Sequence, residues 1–216
     1  MNWLFEKLRM PAVNQVILII ILAEFILTTA DALIGPLFAL FVVQDVGAAV
    51  TTVGFAIAIY WITKSIVQLF VARYLDKNHG EVDDYYSMLA GLLIVIVTIY
   101  SYYFVREVWQ IYLLQFFLAL GNSFVVPPFY AIFTRHIDKD REASEWAMRS
   151  SFSLGAGSAL GGALSGLLAA AIGIRPIFLI NGTLMLIGFF VLLFLGPYIK
   201  PRTPRDLANF YEQKRV

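Results

Sequence analysis

Long runs of apolar residues, separated by short polar stretches, leave this chain few possible folds. There are six such runs, each long enough to cross a bilayer core of about 30 Å, which takes roughly 20 residues of helix. Backbone groups in lipid must be paired within the protein, so the sequence predicts an all-α bundle of six transmembrane helices. The predicted spans are Val13–Val43, Val50–Val71, Tyr86–Val105, Val108–Phe133, Ala143–Ala171 and Pro176–Tyr198.

The composition excludes several classes of protein. Of the 216 residues, 60% are hydrophobic and 14% are charged, which is unlike a soluble domain. A net charge of +1 gives no reason to expect a nucleic-acid partner, and the absence of cysteine excludes disulfides. We find no catalytic constellation, no nucleotide-binding loop and no metal-ligand spacing around His79 or His136. An enzyme, a cofactor and a metal site are therefore not expected.

The flanks and loops predict the domain organisation and the orientation. Residues 1–12 form a predicted interfacial amphipathic segment, 13–198 the bundle and 199–216 a basic cytoplasmic tail. Thirteen lysines and arginines fall on the side of the two termini and only two on the other. By the positive-inside rule, both termini are cytoplasmic and the protein is a multi-pass protein of the cell (inner) membrane.

Two acidic residues lie within the first span. Glu24 and Asp31 are seven residues apart, which places them on nearly one helix face. Each charge at bilayer depth costs roughly 2.5–3.5 kcal/mol, so this face predicts a polar interior or a water-filled path. We predict an ion pair of Glu24 with Lys64, as a switch or as a static link between helices. Asp31 is the predicted proton-binding carboxylate, the alternative being a hydrogen bond to Thr28 or Thr29.

Polar and aromatic side chains of the other spans complete the candidate site. Those predicted to contact a solute are Tyr60, Trp61, Gln68, Gln115, Asn122 and Asn181. For Gln115 and Asn122 the alternative is a hydrogen bond between helices. The fifth span carries two small-residue series, which predict close helix packing: Gly157, Gly161, Ser165 and Ser158, Gly162, Gly166.

The first and fourth spans share a pattern. Residues 36–41 read Pro-Leu-Phe-Ala-Leu-Phe and residues 128–133 read Pro-Phe-Tyr-Ala-Ile-Phe. Upstream, Gln115 and Asn122 repeat the spacing of the two acids in the first span. Because the two spans run in opposite directions, the pattern predicts 3+3 inverted repeats, a common transporter design.

Four further motifs, in order, resemble those of the major facilitator superfamily. Residues 72–80 (Ala-Arg-Tyr-Leu-Asp-Lys-Asn-His-Gly) are similar to the loop signature Gly-x-x-x-Asp-Arg-x-Gly. Residues 115–121 follow the helix-four pattern Arg-x-x-Gln-Gly-x-Gly, with glutamine in place of the arginine. Residues 157–162 are similar to the antiporter pattern Gly-Pro-x-x-Gly-Gly, and 173–181 to the Gly-Trp-Arg-x-x-Phe that opens helix six.

This resemblance implies one half of a secondary transporter that works by alternating access. The family's two halves are related by an axis along the membrane normal, so a six-helix chain predicts a parallel homodimer. A fragment of a longer transporter is the alternative. The resemblance also implies a cytoplasmic gate, with Asp76 engaging helix five of the second copy; the gating residues are Arg73, Asp76, Lys77, Gly80 and Arg149.

The sequence therefore predicts a transporter of a small organic solute, coupled to protons. A sugar or another polar solute is one substrate class and a cationic drug the other. A passive pore and a non-transporting membrane scaffold are the alternative functions. The expected partners are a second copy, the lipid bilayer, the solute and protons.

Overall fold

The computed structural model describes residues 14–78 and 80–199, and in this part of the chain every predicted span is a helix. Six helices are long and apolar enough to cross a membrane, and the described residues contain no strand. The predicted interfacial segment 1–12 and residues 200–216 of the predicted tail lie outside the described residues. The helices are α1 (Gln15–Asp45), α2 (Val50–Asn78), α3 (Glu81–Tyr102), α4 (Val108–His136), α5 (Glu142–Ile172) and α6 (Arg175–Leu193).

Two helices change their winding along their length. In α1, Pro36 lies in a 3₁₀ turn, Gly35–Leu37, and a wider π turn follows at Phe41–Asp45. A proline removes a backbone donor, which accounts for the local break in regular α-helix. In α5 a short α-helical start gives way to π-helical winding at Arg149–Ala156. π-helical turns are rare and are frequent at functional sites.

Two helix ends lie inside the stretch that was expected to be a loop. α2 continues past Val71 to Asn78, and α3 begins at Glu81 rather than at Tyr86. Charged side chains are tolerated on the last turns of α2 because they are exposed, and the acidic first turn of α3 is favoured by the helix dipole. The extension makes Lys64 the middle residue of α2.

The helices pack in two matching groups. α1 packs against α5 and α6, while α4 packs against α2 and α3, and a contact between α3 and α6 joins the groups. Exchanging the first three helices with the last three leaves these pairings unchanged. Two repeats of three helices would give this symmetry of pairings, and their inverted topology stays a prediction.

Serine hydroxyls fix α5 along α1 at two levels. The Ser153 Oγ donates to the backbone oxygen of Ile21 at 2.9 Å, and the Ser165 Oγ donates to that of Leu33 at 2.8 Å. Both serines are buried, so these bonds satisfy hydroxyls that lipid could not. The two helices therefore run parallel in fixed register.

Two glycines lie between those serines and let the backbones approach closely. A Cβ on Gly157 would lie 3.0 Å from the Phe25 oxygen, and a Cβ on Gly161 would overlap the Thr29 oxygen. Only one of the two predicted small-residue series packs in this way. The other does not, since no described residue has an atom within 4 Å of a Cβ added to Gly162 or Gly166.

Gly161→Leu is expected to destabilise the protein by about 1–3 kcal/mol or more, because the added side chain overpacks the contact between α1 and α5. Gly162→Leu is the matched control, one residue further along the same helix, and is expected to change the unfolding free energy of a single bundle little, because the added side chain meets no described residue of its own chain. Denaturant unfolding of the purified protein in detergent measures both. Equal losses would contradict the packing described above.

Candidate functional site

Three polar side chains lie near the centres of three helices. Lys64 is the middle residue of α2, Asn122 is the middle residue of α4, and Asp31 lies one residue past the middle of α1. Helices that cross the same bilayer have their centres at similar depths. These groups therefore share a layer near mid-membrane, in which Lys64 is the basic side chain level with Asp31.

A cleft of about 210 Å³ opens between α1 and α4 at this level. Glu24 and Asp31 both line it, and Asn122 lines it from the opposite helix. Asp31 is exposed to the cleft, and no described residue donates a hydrogen bond to its carboxylate. The remaining lining is mostly apolar and comes from all the helices except α2. A few polar groups in a mostly apolar concavity are typical of small-molecule sites.

The predicted ion pair of Glu24 with Lys64 is wrong. The Glu24 carboxylate accepts a hydrogen bond from the guanidinium of Arg149, the first residue of the π-helical segment of α5. Both side chains are buried. Lys64 lies instead with its Nζ 3.5 Å from the Tyr60 hydroxyl and 5.1 Å from the centroid of the Trp61 ring. The reason is depth: the longer α2 places Lys64 level with Asp31, more than one turn away from Glu24.

Aromatic rings surround the Arg149 guanidinium. Its central carbon lies 4.7 Å from the ring centroid of Tyr130 and 5.2 Å from that of Trp146. Phe133 and Phe129 follow at 5.6 Å and 5.8 Å. The rings attract the cation through their quadrupoles, and more strongly so where water is excluded. α4 and α5 thus hold a buried arginine that the acid of α1 neutralises.

The pair of Glu24 and Arg149 leaves polar atoms without partners. The Glu24 Oε2 and the Arg149 Nε are both buried, and neither has a hydrogen-bond partner among the described residues. A buried ion pair that is not fully hydrogen-bonded gains little over its desolvation penalty. A second hydrogen-bond donor could therefore bind the Glu24 Oε2 without first breaking a hydrogen bond. That donor would compete with Arg149 for the carboxylate.

The other predicted solute contacts are not part of the cleft. The buried Asn181 donates to the backbone oxygen of Ala30 at 2.8 Å, so it links α6 to α1. Gln115 is buried outside the cleft lining. Tyr60, Trp61 and Gln68 lie on α2, and the Trp61 side chain is 56% exposed.

The predicted gating residues are separated. Arg73, Asp76 and Lys77 lie exposed on the last turns of α2, and Gly80 precedes α3 in an extended conformation. The Arg149 guanidinium points into the bundle toward Glu24. The contact of Asp76 with helix five of a second copy stays a prediction.

Arg149 is the site residue whose pairing with Glu24 sequence reasoning missed. It lies inside the predicted fifth span, so it was an available cation at bilayer depth for Glu24. Three aromatic residues on α4, Phe129, Tyr130 and Phe133, were a second signal, since all lie at the level of that span's beginning.

Comparisons of the sequence with known proteins and family models point to one family. The family model of the Major Facilitator Superfamily matches residues 20–215. Multidrug resistance protein MdtG of Escherichia coli (strain 55989 / EAEC) is 27% identical over 162 residues, which are 74% of this chain and 38% of that protein. MdtG of Rahnella sp. (strain Y9602) is 28% identical over 158 residues, 72% of this chain and 37% of that protein. The chain thus spans less than half the length of these relatives.

The fold has a counterpart among solved structures. The in meso crystal structure of the POT family transporter PepTSo superposes with a TM-score of 0.68 over 90% of this chain and 40% of that one. The two sequences are 18% identical, so this likeness concerns the fold.

Proposed function

The chain belongs to the Major Facilitator Superfamily, and on that premise we propose that it is a secondary transporter of a small organic solute, driven by protons and working as a parallel homodimer. The membership and the six apolar helices make it a multi-pass membrane protein. The observation that carries the proposal is the cleft near mid-membrane, lined by the acids of α1 and by Asn122 of α4.

The position of Asp31 supports proton coupling. Its carboxylate lies near the middle of the membrane, faces the cleft and receives no hydrogen bond from a described residue. A charge at this depth is costly, so it is retained where it serves a path or a partner. Lys64 at the same depth provides the counter-charge, and protonation of Asp31 would release it. Glu24 is already neutralised by Arg149, which leaves Asp31 as the exchangeable acid.

The uncovered helix faces support a second copy. Within an apolar 18-residue stretch of each helix, the buried share is 11% in α2 and 17% in α5, against 56% in α3. Lipid can cover apolar side chains, but it cannot satisfy the exposed Asp31 of α1 or the half-buried Lys64 of α2. A second six-helix unit, related by a two-fold axis along the membrane normal, would close the cleft into a chamber.

The substrate class follows from the side chains and from the relatives. An acidic cleft with aromatic walls suits a cationic, partly apolar compound, which agrees with the multidrug name of the MdtG relatives. Asn122 suits a neutral polar solute such as a sugar. Both classes belong in the first screen.

Uptake into proteoliposomes with an imposed pH gradient tests the proposal. We expect saturable, pH-driven flux of at least one compound from the two classes and two chains per particle by mass measurement in detergent. Flux without saturation would indicate a passive pore. The absence of any flux or ligand-induced stabilisation across both classes would favour a scaffold.

A further inference from the structure

A second cavity lies between α2 and α3, and no residue lines both this cavity and the cleft. Both helices pack on α4 and hardly touch each other, which leaves a groove of about 630 Å³ on the outside of the bundle. It begins at the level of the connection between α2 and α3. Its walls are almost entirely apolar, with Phe70 and Phe124 among the deeper residues and Tyr74 and Tyr86 nearer the membrane surface.

One carboxylate on this groove has no hydrogen-bond partner among the described residues. Three acids occupy the first turn of α3, and two of them have a partner on α4: Asp84 pairs with Arg135, and Glu81 lies 3.6 Å from the imidazole of His136. The third, Asp83, lines the groove. Neither of its oxygens accepts a hydrogen bond from a described residue, and both are shielded from water.

An unpaired carboxylate that is shielded from water is unfavourable, so it calls for a cation. A soluble ion would have to lose its hydration shell to reach Asp83 through apolar walls. A cation that carries its own apolar chain would fill the groove and supply the charge together. Such molecules make up the surrounding membrane.

We propose that the groove between α2 and α3 binds a phospholipid with a primary ammonium headgroup, whose ammonium contacts Asp83 and whose acyl chain lies along the groove. The depth agrees with this occupant. Asp83 is at the membrane-surface end of α3, and Ala90, also on the groove, lies roughly 10 Å deeper at 1.5 Å per residue. Tyr74 and Tyr86 lie near the headgroup level, which tyrosines favour.

Lipid binding to the purified 216-residue chain in detergent tests this assignment. After delipidation, dioleoylphosphatidylethanolamine or dioleoylphosphatidylcholine is added, and bound lipid is counted by native mass spectrometry. We expect the ethanolamine lipid to bind about tenfold more tightly, because only its headgroup donates charge-assisted hydrogen bonds. Asp83→Asn is expected to remove that preference, whereas Glu142→Gln, which removes an exposed acid at the same end of the bundle, preserves it.

A second variant tests the groove separately from the charge. Ala90 lines the groove and is exposed, so Ala90→Phe fills the acyl-chain path without disturbing the helix packing. We expect it to weaken binding of both lipids. Equal binding of the two lipids to the unmodified chain, a preference that survives Asp83→Asn, or unchanged binding to Ala90→Phe would each overturn the proposal.

Discussion

Asp31→Asn is expected to abolish pH-driven uptake, reducing it to the level of liposomes without protein. An amide cannot bind and release a proton, and Asp31 is the one cleft acid without a cation in hydrogen-bond contact among the described residues. Exchange of labelled for unlabelled solute should persist, because exchange requires no net proton movement. The measurement is uptake and exchange in the same proteoliposomes.

The matched control is Asp45→Asn. It removes an acid from the last residue of the same helix, where Asp45 lies 4.0 Å from the Nε of Arg175 and far from the cleft. We expect normal pH-driven uptake from this variant. Full pH-driven uptake by Asp31→Asn would remove that residue from the coupling mechanism.

Arg149→Met is expected to destabilise the protein by about 3–5 kcal/mol, because it leaves the buried Glu24 carboxylate without its cation. The double variant Glu24→Gln with Arg149→Met should recover much of this loss, since no buried charge remains. Unfolding free energies in detergent, measured for both single variants and the double variant, give the coupling between the two side chains.

Arg106→Gln serves as the control for losing an arginine, since Arg106 is exposed at the opposite end of the bundle. It should change the unfolding free energy by a few tenths of a kcal/mol at most. Additive losses from Glu24→Gln and Arg149→Met would show that the pair contributes no coupling energy. The pair of Glu24 and Arg149 would then neither link the helices nor act as a switch.

The number and type of helices could be predicted because hydropathy is a local property of the sequence. Each of the six spans appears where its apolar run lies. The helix ends were harder to predict. The charged residues after Val71 indicated a loop, but the helix continues through them with their side chains exposed. That one error of helix length moved Lys64 in depth and produced the wrong partner for Glu24.

The pairing of Glu24 with Arg149 joins residues 125 positions apart and depends on which helices are neighbours. A local pattern carries no such information, because the predicted bundle did not specify that α5 packs against α1. The same limit applies to the amides: Asn122 and Asn181 are alike in residue type, yet one faces the cleft and the other holds α6 against α1. Residue type and depth could select candidates, and only the packing could separate them.

The most direct test of the transport account is the accessibility of the cleft from each side of the membrane. The chain has no cysteine, so Val126→Cys places a single thiol on the cleft wall, and Val97→Cys places one on the lipid-facing side of α3 as a control. We predict that a membrane-impermeant thiol reagent modifies position 126 from either side of the membrane. A change of pH should increase labelling from one side and decrease it from the other. Position 97 should stay unmodified. Labelling of position 126 from one side only, or from both sides without this reciprocal change, would contradict alternating access.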